Sequence, residues 1–127
     1  MRRAIKSNRA PKAIGPYSQA IRVEAGTMVF CSGQIPLDPE TGEIVGTTAA
    51  EQCRQVMENL INLLADAGVD FSAVAKTTIF LADMNDFAAV NEVYGAYFDD
   101  APPARSTVQV SRLPRDVRVE IEMIAIV

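Results

Sequence analysis

The sequence predicts an α+β fold: a mixed β-sheet with two α-helices packed on one face. Alternating apolar residues near both ends of the chain indicate strands, and two segments with apolar residues at helical spacing indicate helices. These elements follow the order β-β-β-α-β-α-β-β, and the 127 residues suit one domain spanning 1–127. Because two helices cover only one face of a sheet, we expect oligomerisation through the other face, which carries apolar residues such as Ile124 and Ile126.

Three strands are predicted before the first helix. Residues 3–7 are expected to form a short edge strand, followed by an irregular segment rich in proline and glycine. Strands near 19–24 and 28–32 are expected to pair as a hairpin joined through Gly26.

The first helix is marked at both ends. Thr48, with Glu51 three residues later, matches a capping box, and Gly68 occupies the place of a C-terminal glycine. Its predicted buried stripe contains Cys53, Val56, Met57, Leu60, Ile61 and Leu64.

The second helix follows a strand predicted near 74–82. Asp83 and Asn85 are its candidate N-caps. Its apolar stripe contains Phe87, Val90, Tyr94, Tyr97 and Phe98.

The last quarter of the chain is predicted to form an antiparallel strand pair with a tight connection. A register that keeps the apolar faces together would place Arg105, Thr107 and Glu120 on one common face. A guanidinium and a carboxylate placed in this way form either a ligand site or a structural salt bridge, from Arg105 to Glu120 or Glu122. Alternation alone leaves both open.

Composition excludes several classes of function. The net charge of −4 without a basic run argues against nucleic-acid binding. No apolar run is long enough to span a bilayer and no signal peptide is recognisable, so we expect a cytoplasmic protein. Cys31 and Cys53 fit no metal or redox spacing, and the lack of histidine excludes imidazole catalysis. No motif indicates a metal or a cofactor.

Four further residues are candidates for a site, each with a structural alternative. Tyr17 either faces a ligand from its Gly-Pro loop or caps the edge of the core. Ser32 and Gly33 end a strand, where a glycine either admits a ligand to the backbone or marks a bulge. Asn91 either binds a ligand or is an exposed helix residue.

Five short segments occur together at a specific spacing. They are IGPYSQ (14–19), SGQIP (32–36) with DPETGE after it, NDF (85–87) with VN (90–91), PARS (103–106), and RLP (112–114) running to VEIE (119–122). In this order they resemble the RidA/YjgF family of imine deaminases over essentially the whole chain.

The resemblance implies a chorismate-mutase-like fold assembled as a homotrimer, with three sites in clefts between subunits. It also implies hydrolysis of reactive 2-imino acids and their enamine tautomers (2-aminoacrylate, 2-iminobutanoate, 2-iminopropanoate) to 2-oxo acids and ammonia. Such a hydrolase acts on C=N bonds and needs no cofactor. Pyridoxal-phosphate dehydratases supply substrates of this class.

The resemblance also assigns roles by position. Arg105 is expected to hold the substrate carboxylate, and Glu120 to position water and move protons. Residues expected to line the pocket are Tyr17, Ser32, Asn91 and Thr107, with the backbone of Gly33 beside them.

Two departures from the family pattern bear on specificity. Many members have a cysteine where this chain has Thr107, and the loop before Pro103 is short and reads Ala101-Pro102. We expect Thr107 to offer a hydroxyl, and we expect an aromatic side chain that relatives carry in this loop to be missing.

Two other functions remain open. One is a sensor that binds a 2-oxo acid without turnover. The other is a ribonuclease that inhibits translation, which the acidic charge and the lack of histidine disfavour.

Overall fold

The order of secondary structure agrees with the sequence. A computed structural model describes residues 2–24 and 26–127. Its elements are β1 (Arg2–Ile5), β2 (Ala20–Val23), β3 (Met28–Gln34), α1 (Ala49–Asp66), β4 (Val74–Leu81), α2 (Phe87–Gly95), β5 (Ala104–Gln109) and β6 (Val119–Ile126). The predicted order β-β-β-α-β-α-β-β is confirmed.

The ends of α1 form as predicted. The Thr48 hydroxyl accepts a hydrogen bond from the Glu51 N–H at 3.2 Å, and the Glu51 carboxylate accepts one from the Thr48 N–H at 3.1 Å. Beyond the helix, Gly68 adopts a φ of 80°, a conformation that glycine reaches without steric cost. The predicted stripe of α1 is buried except for Ile61, which lies at its margin and is 38% exposed.

Strands β4 and β5 pair in parallel, and α2 connects them. Parallel neighbours require such a crossover, because the chain must return to the end of the sheet where the first strand began before the second strand can start. Before α2, the Asp83 carboxylate caps a single 3₁₀ turn by accepting from the Asn85 N–H at 2.9 Å. The N-cap of α2 itself is Asp86, so the prediction of Asp83 or Asn85 at that position is wrong.

The prediction of a closing hairpin is wrong. Strands β5 and β6 are not neighbours, since the sheet has the order β3-β6-β4-β5 and β4 lies between them. Strand β6 is antiparallel to both β3 and β4, which makes the sheet mixed.

The predicted hairpin of residues 19–24 and 28–32 is also not formed. Strand β2 pairs with β1 in a separate two-stranded sheet, and β3 pairs with β6. Residue 25, in the predicted turn, lies outside the described residues.

Both helices pack on one face of the four-stranded sheet. Val119, Ile121 and Met123 of β6 point to this face and are fully buried or nearly so. The opposite face is uncovered in a single copy and exposes large apolar side chains: Phe30 is 68% exposed and Val108 is 42% exposed. None of the helices described here is long and apolar enough to span a membrane.

Candidate functional site

Arg105 lies on β5, opposite Thr77 of the neighbouring strand. Thr77 is buried in the core, so the register turns Arg105 to the helix side of the sheet. There its Nη1 donates a hydrogen bond to Oδ1 of Asn91 on α2 at 2.6 Å. Asn91 is therefore a partner of Arg105 and not a solvated helix residue.

Three aromatic rings surround the guanidinium. Its Cζ lies 5.5 Å from the ring centroid of Tyr17, 5.7 Å from that of Phe87 and 5.4 Å from that of Tyr94. Each distance falls within the range of cation–π attraction. The sequence assigned Phe87 and Tyr94 only to the apolar stripe of α2. Their spacing of four and three residues from Asn91 places all three on one helix face.

No acidic side chain among the described residues neutralises the charge of Arg105. Within residues 2–24 and 26–127, no carboxylate approaches it within salt-bridge distance, and Asn91 is its sole hydrogen-bond partner. The predicted salt bridge to Glu120 or Glu122 is thus absent from the part of the chain that the structure describes. Burial lowers the pKa of Arg105 below its usual value, and the nearby Tyr94 and Tyr17 oppose that shift. Because the usual pKa of arginine is so high, Arg105 remains a cation at neutral pH.

A buried hydrogen bond holds the ring of Tyr94 in place beside the guanidinium. Tyr94 is completely buried, and its hydroxyl shares a 2.8 Å hydrogen bond with Oγ1 of buried Thr77. Burial raises the pKa of Tyr94 to about 12, so the ring stays neutral beneath the cation. Because Thr77 is also the strand partner of Arg105, one buried contact fixes both the ring and the strand.

Tyr17 reaches Arg105 from the loop before β2. The Tyr17 N–H donates to the Gly15 carbonyl at 2.8 Å, which tightens the loop. Nη2 of Arg105 lies close to Gly15, since a Cβ built on Gly15 would be 3.6 Å from this nitrogen. Tyr17 is half-buried against the guanidinium, so it lies beside Arg105, and its contact with a ligand stays a prediction.

Thr107 follows Arg105 on the same face of β5, opposite buried Ile79. Its Oγ1 is buried and makes no hydrogen bond to any described residue. A buried hydroxyl without a partner costs about 1–3 kcal/mol. A polar ligand beside Arg105 would satisfy it.

Glu120 lies elsewhere. It is opposite Phe80 on β4, and its neighbours Val119 and Ile121 face the helices, so Glu120 belongs to the uncovered face. The carboxylate rests against Gly33: a Cβ added there would lie 1.9 Å from Oε2 of Glu120. The β3–β6 register shifts between Cys31 and Gln34, so Gly33 both marks a bulge and admits the carboxylate.

The predicted common face for Arg105, Thr107 and Glu120 is therefore wrong within one copy. Strand β4 lies between β5 and β6, and its Thr77 pairs with Arg105 on one side and with Met123 on the other. Paired residues point to the same face, so Arg105 points to the helix side with Met123. Glu120, three residues before Met123, points to the opposite face. Ser32 is exposed and follows buried Cys31, which places it on the side of Glu120.

The structure thus divides the predicted site into two groups. The arginine group consists of Tyr17, Asn91, Arg105 and Thr107, together with Phe87 and Tyr94. The glutamate group consists of Ser32, Gly33 and Glu120.

Comparison with known proteins identifies the family. The family model described as Endoribonuclease L-PSP matches residues 7–127. The mouse (Mus musculus) 2-iminobutanoate/2-iminopropanoate deaminase is 49% identical over 126 residues, covering 99% of this chain and 92% of the relative. The chain belongs to the RidA/YjgF family.

Solved structures of this family share the fold. RidA from an Antarctic Psychrobacter bacterium superimposes with a TM-score of 0.77 at 41% identity, covering 98% of this chain and 99% of that one. E. coli TdcF with bound serine gives a TM-score of 0.75 at 48% identity, covering 98% of both chains. The RidA-family fold is therefore confirmed for the mixed sheet with its two helices.

Proposed function

We propose that this RidA-family protein hydrolyses reactive 2-imino acids and their enamine tautomers to 2-oxo acids and ammonia. The observation that carries the proposal is the half-buried guanidinium of Arg105, which has aromatic rings around it and no acidic partner among the described residues. Relatives that are about half identical over nearly the full chain are named as deaminases of this class.

The arginine group suits a small carboxylate. A guanidinium binds a carboxylate through two parallel hydrogen bonds, and Asn91 occupies only one of its N–H groups. The unpartnered Thr107 hydroxyl lies beside it for a second polar contact. The serine bound to the relative TdcF is itself a small carboxylate, which is consistent with this ligand class.

Turnover also requires the glutamate group. Within one copy this group lies on the face of the sheet opposite the arginine group, so one copy cannot bring the two groups together. We therefore propose a homotrimer in which a cleft between subunits joins the arginine group of one copy to the glutamate group of the next. The large apolar side chains exposed on the uncovered face support this, because such side chains on a sheet face are usually buried by association.

The chemistry then needs only positioned groups. Arg105 holds the carboxylate, and the protonated imine carbon accepts water while Glu120 takes a proton from that water. Transfer of a proton to the amino nitrogen of the resulting carbinolamine lets ammonia leave as the carbonyl forms. One water is consumed, and no cofactor or covalent nucleophile takes part.

A coupled assay tests the proposal. Threonine dehydratase generates 2-iminobutanoate in situ, and loss of the imine signal is followed with and without the protein. We expect faster loss with wild type, none above buffer with Arg105→Ala, and a strong reduction with Glu120→Gln. Wild type no faster than buffer would refute the deaminase activity, and full activity of Glu120→Gln would refute the role of Glu120.

One observation favours a second function, binding of a 2-oxo acid without turnover. In a single copy the arginine group offers an anion site, and no carboxylate in the described part of the chain lies beside it to move protons. A sensor of this kind would need Arg105 and tolerate Glu120→Gln. Titration of both variants with 2-oxobutanoate, set beside the turnover assay, separates the two functions.

A further inference from the structure

Ser18 holds the chain segment that leads into Arg105. Its Oγ donates a hydrogen bond to the carbonyl of Pro102 at 2.5 Å, and its N–H donates to the carbonyl of Pro103 at 3.1 Å. Ser18 is only 8% exposed and forms an isolated parallel bridge with Ala104 at the start of β5. Two consecutive carbonyls are thus fixed by one residue.

The segment needs this support because it cannot build a normal strand pairing. Proline has no N–H to donate, so Pro102 and Pro103 contribute only acceptors. The preceding carbonyl, of Ala101, accepts from Nη2 of Arg2 at 2.7 Å, and Nε of the same arginine donates to the Val74 carbonyl at 2.6 Å. Three carbonyls in a row are therefore bound by side-chain or backbone donors from the N-terminal part of the chain.

The two bonds of Ser18 relate two parts of the arginine group. Tyr17, directly before Ser18, places its ring 5.5 Å from the guanidinium carbon, and Arg105 follows Pro103 by two residues. The distance between the Tyr17 loop and the start of β5 is therefore set at Ser18.

We propose that Ser18 is a positioning residue that fixes the geometry between Tyr17 and Arg105 and so sets the affinity for the substrate carboxylate. This rests on the proposed function for its substrate. Ser18 does not reach the ligand; it acts through the Pro102 carbonyl. Removing Oγ loosens the contact between loop and strand while leaving the glutamate group, on the other face, intact.

Ser18→Ala tests this. We expect KM for 2-iminobutanoate and Kd for 2-oxobutanoate both to rise about fivefold, the size expected for one lost hydrogen bond, with kcat nearly unchanged. The Arg105 Nε–H signal in a ¹H–¹⁵N NMR spectrum should shift in the ligand-free protein. Ser18→Thr keeps a hydroxyl and should retain most of the wild-type affinity.

Thr48→Ala is the matched control, because it removes a hydrogen bond at the distant start of α1 and lowers stability without touching the arginine group. It should leave KM, Kd and the Arg105 signal as in wild type. The proposal is overturned if Ser18→Ala keeps wild-type values for all three, or if Thr48→Ala changes them equally. Failure of the deaminase activity itself would appear as wild type without turnover, and the Kd and NMR comparisons would still decide the role of Ser18.

Discussion

Arg105 and Glu120 lie on opposite faces of the four-stranded sheet, on strands that β4 separates. Two strand spacings, about 10 Å, therefore lie between their backbones before the side chains diverge. A single small substrate cannot contact both side chains within one copy. If the two residues act on one substrate, they must come from different copies.

Mixed oligomers of two defective variants test this relationship. Arg105→Ala and Glu120→Gln each remove one group, so the first homo-oligomer should be inactive and the second strongly impaired. After random exchange of subunits at equal amounts, a cleft with both groups intact forms in about a quarter of cases, so about a quarter of the wild-type rate should return. Imine loss measured before and after mixing gives this recovery.

The control for mixing is the oligomer composition. Native mass spectrometry must show hybrid species, which excludes failure of exchange. If hybrids form and the rate does not recover, Arg105 of one copy and Glu120 of the next do not complete one site, and the shared cleft is wrong.

Gly33→Ala should displace the Glu120 carboxylate. An added Cβ would lie 1.9 Å from Oε2 of Glu120, so the flexible carboxylate must move away. We expect kcat to fall about tenfold or more, because general acid–base catalysis depends on geometry, while the unfolding free energy changes little. Steady-state kinetics and urea denaturation measure the two effects.

A double variant tests whether the loss acts through Glu120. Adding Gly33→Ala to Glu120→Gln should reduce kcat little further, because the displaced carboxylate is already gone. Independent, multiplying losses would show that Gly33 contributes in another way.

Local features of the fold were predictable from the sequence, and strand partners were not. The capping box of Thr48 and Glu51 depends on residues three apart, so the spacing alone predicted it. Which strand lies beside β5 depends on packing across the whole chain. Alternation cannot show that β4 inserts between β5 and β6, although the order strand–helix–strand over 74–81, 87–95 and 104–109 favours parallel pairing.

The candidate site was predictable as a set of residues but not as an arrangement. The family pattern named Arg105, Asn91 and Tyr17, which the structure brings together. Phe87 and Tyr94 were assigned to the core because helical spacing predicts which residues are buried. It does not predict that a charged group such as the Arg105 guanidinium packs against their rings. The face of Glu120 was wrong because Arg105 pairs with Thr77 and Thr77 pairs with Met123, so the odd-numbered residues of β5 and β6 share one face and Glu120 lies on the other.

Phe30→Asp should prevent oligomerisation. Phe30 is 68% exposed in a single copy, so its replacement leaves the core intact, whereas burying a carboxylate in an interface is costly. Light scattering at micromolar concentration should give a trimer for wild type and a monomer for the variant. Leu63→Asp is the control: Leu63 is 40% exposed on α1, away from the uncovered face, so this variant should keep the wild-type mass.

An unchanged trimer in Phe30→Asp would place the interface elsewhere. A monomeric wild type would contradict both the oligomer and the shared cleft.

The capping box should make stability depend on acid pH. The Glu51 carboxylate accepts backbone hydrogen bonds from Thr48 and Thr47, and these lower its pKa from the usual 4.5 to about 2. A carboxyl group whose pKa is lower in the folded state stabilises the fold fully above pH 4.5, and this contribution is lost as the pH falls toward 2.

Glu51→Gln keeps an acceptor but cannot titrate, so its unfolding free energy should fall less steeply over this range. Urea denaturation at a series of pH values measures both slopes, and Glu92→Gln on α2, which removes the same charge without removing a capping bond, is the control. Parallel curves for wild type and Glu51→Gln between pH 5 and pH 2 would mean that the capping bonds do not hold this carboxylate ionised.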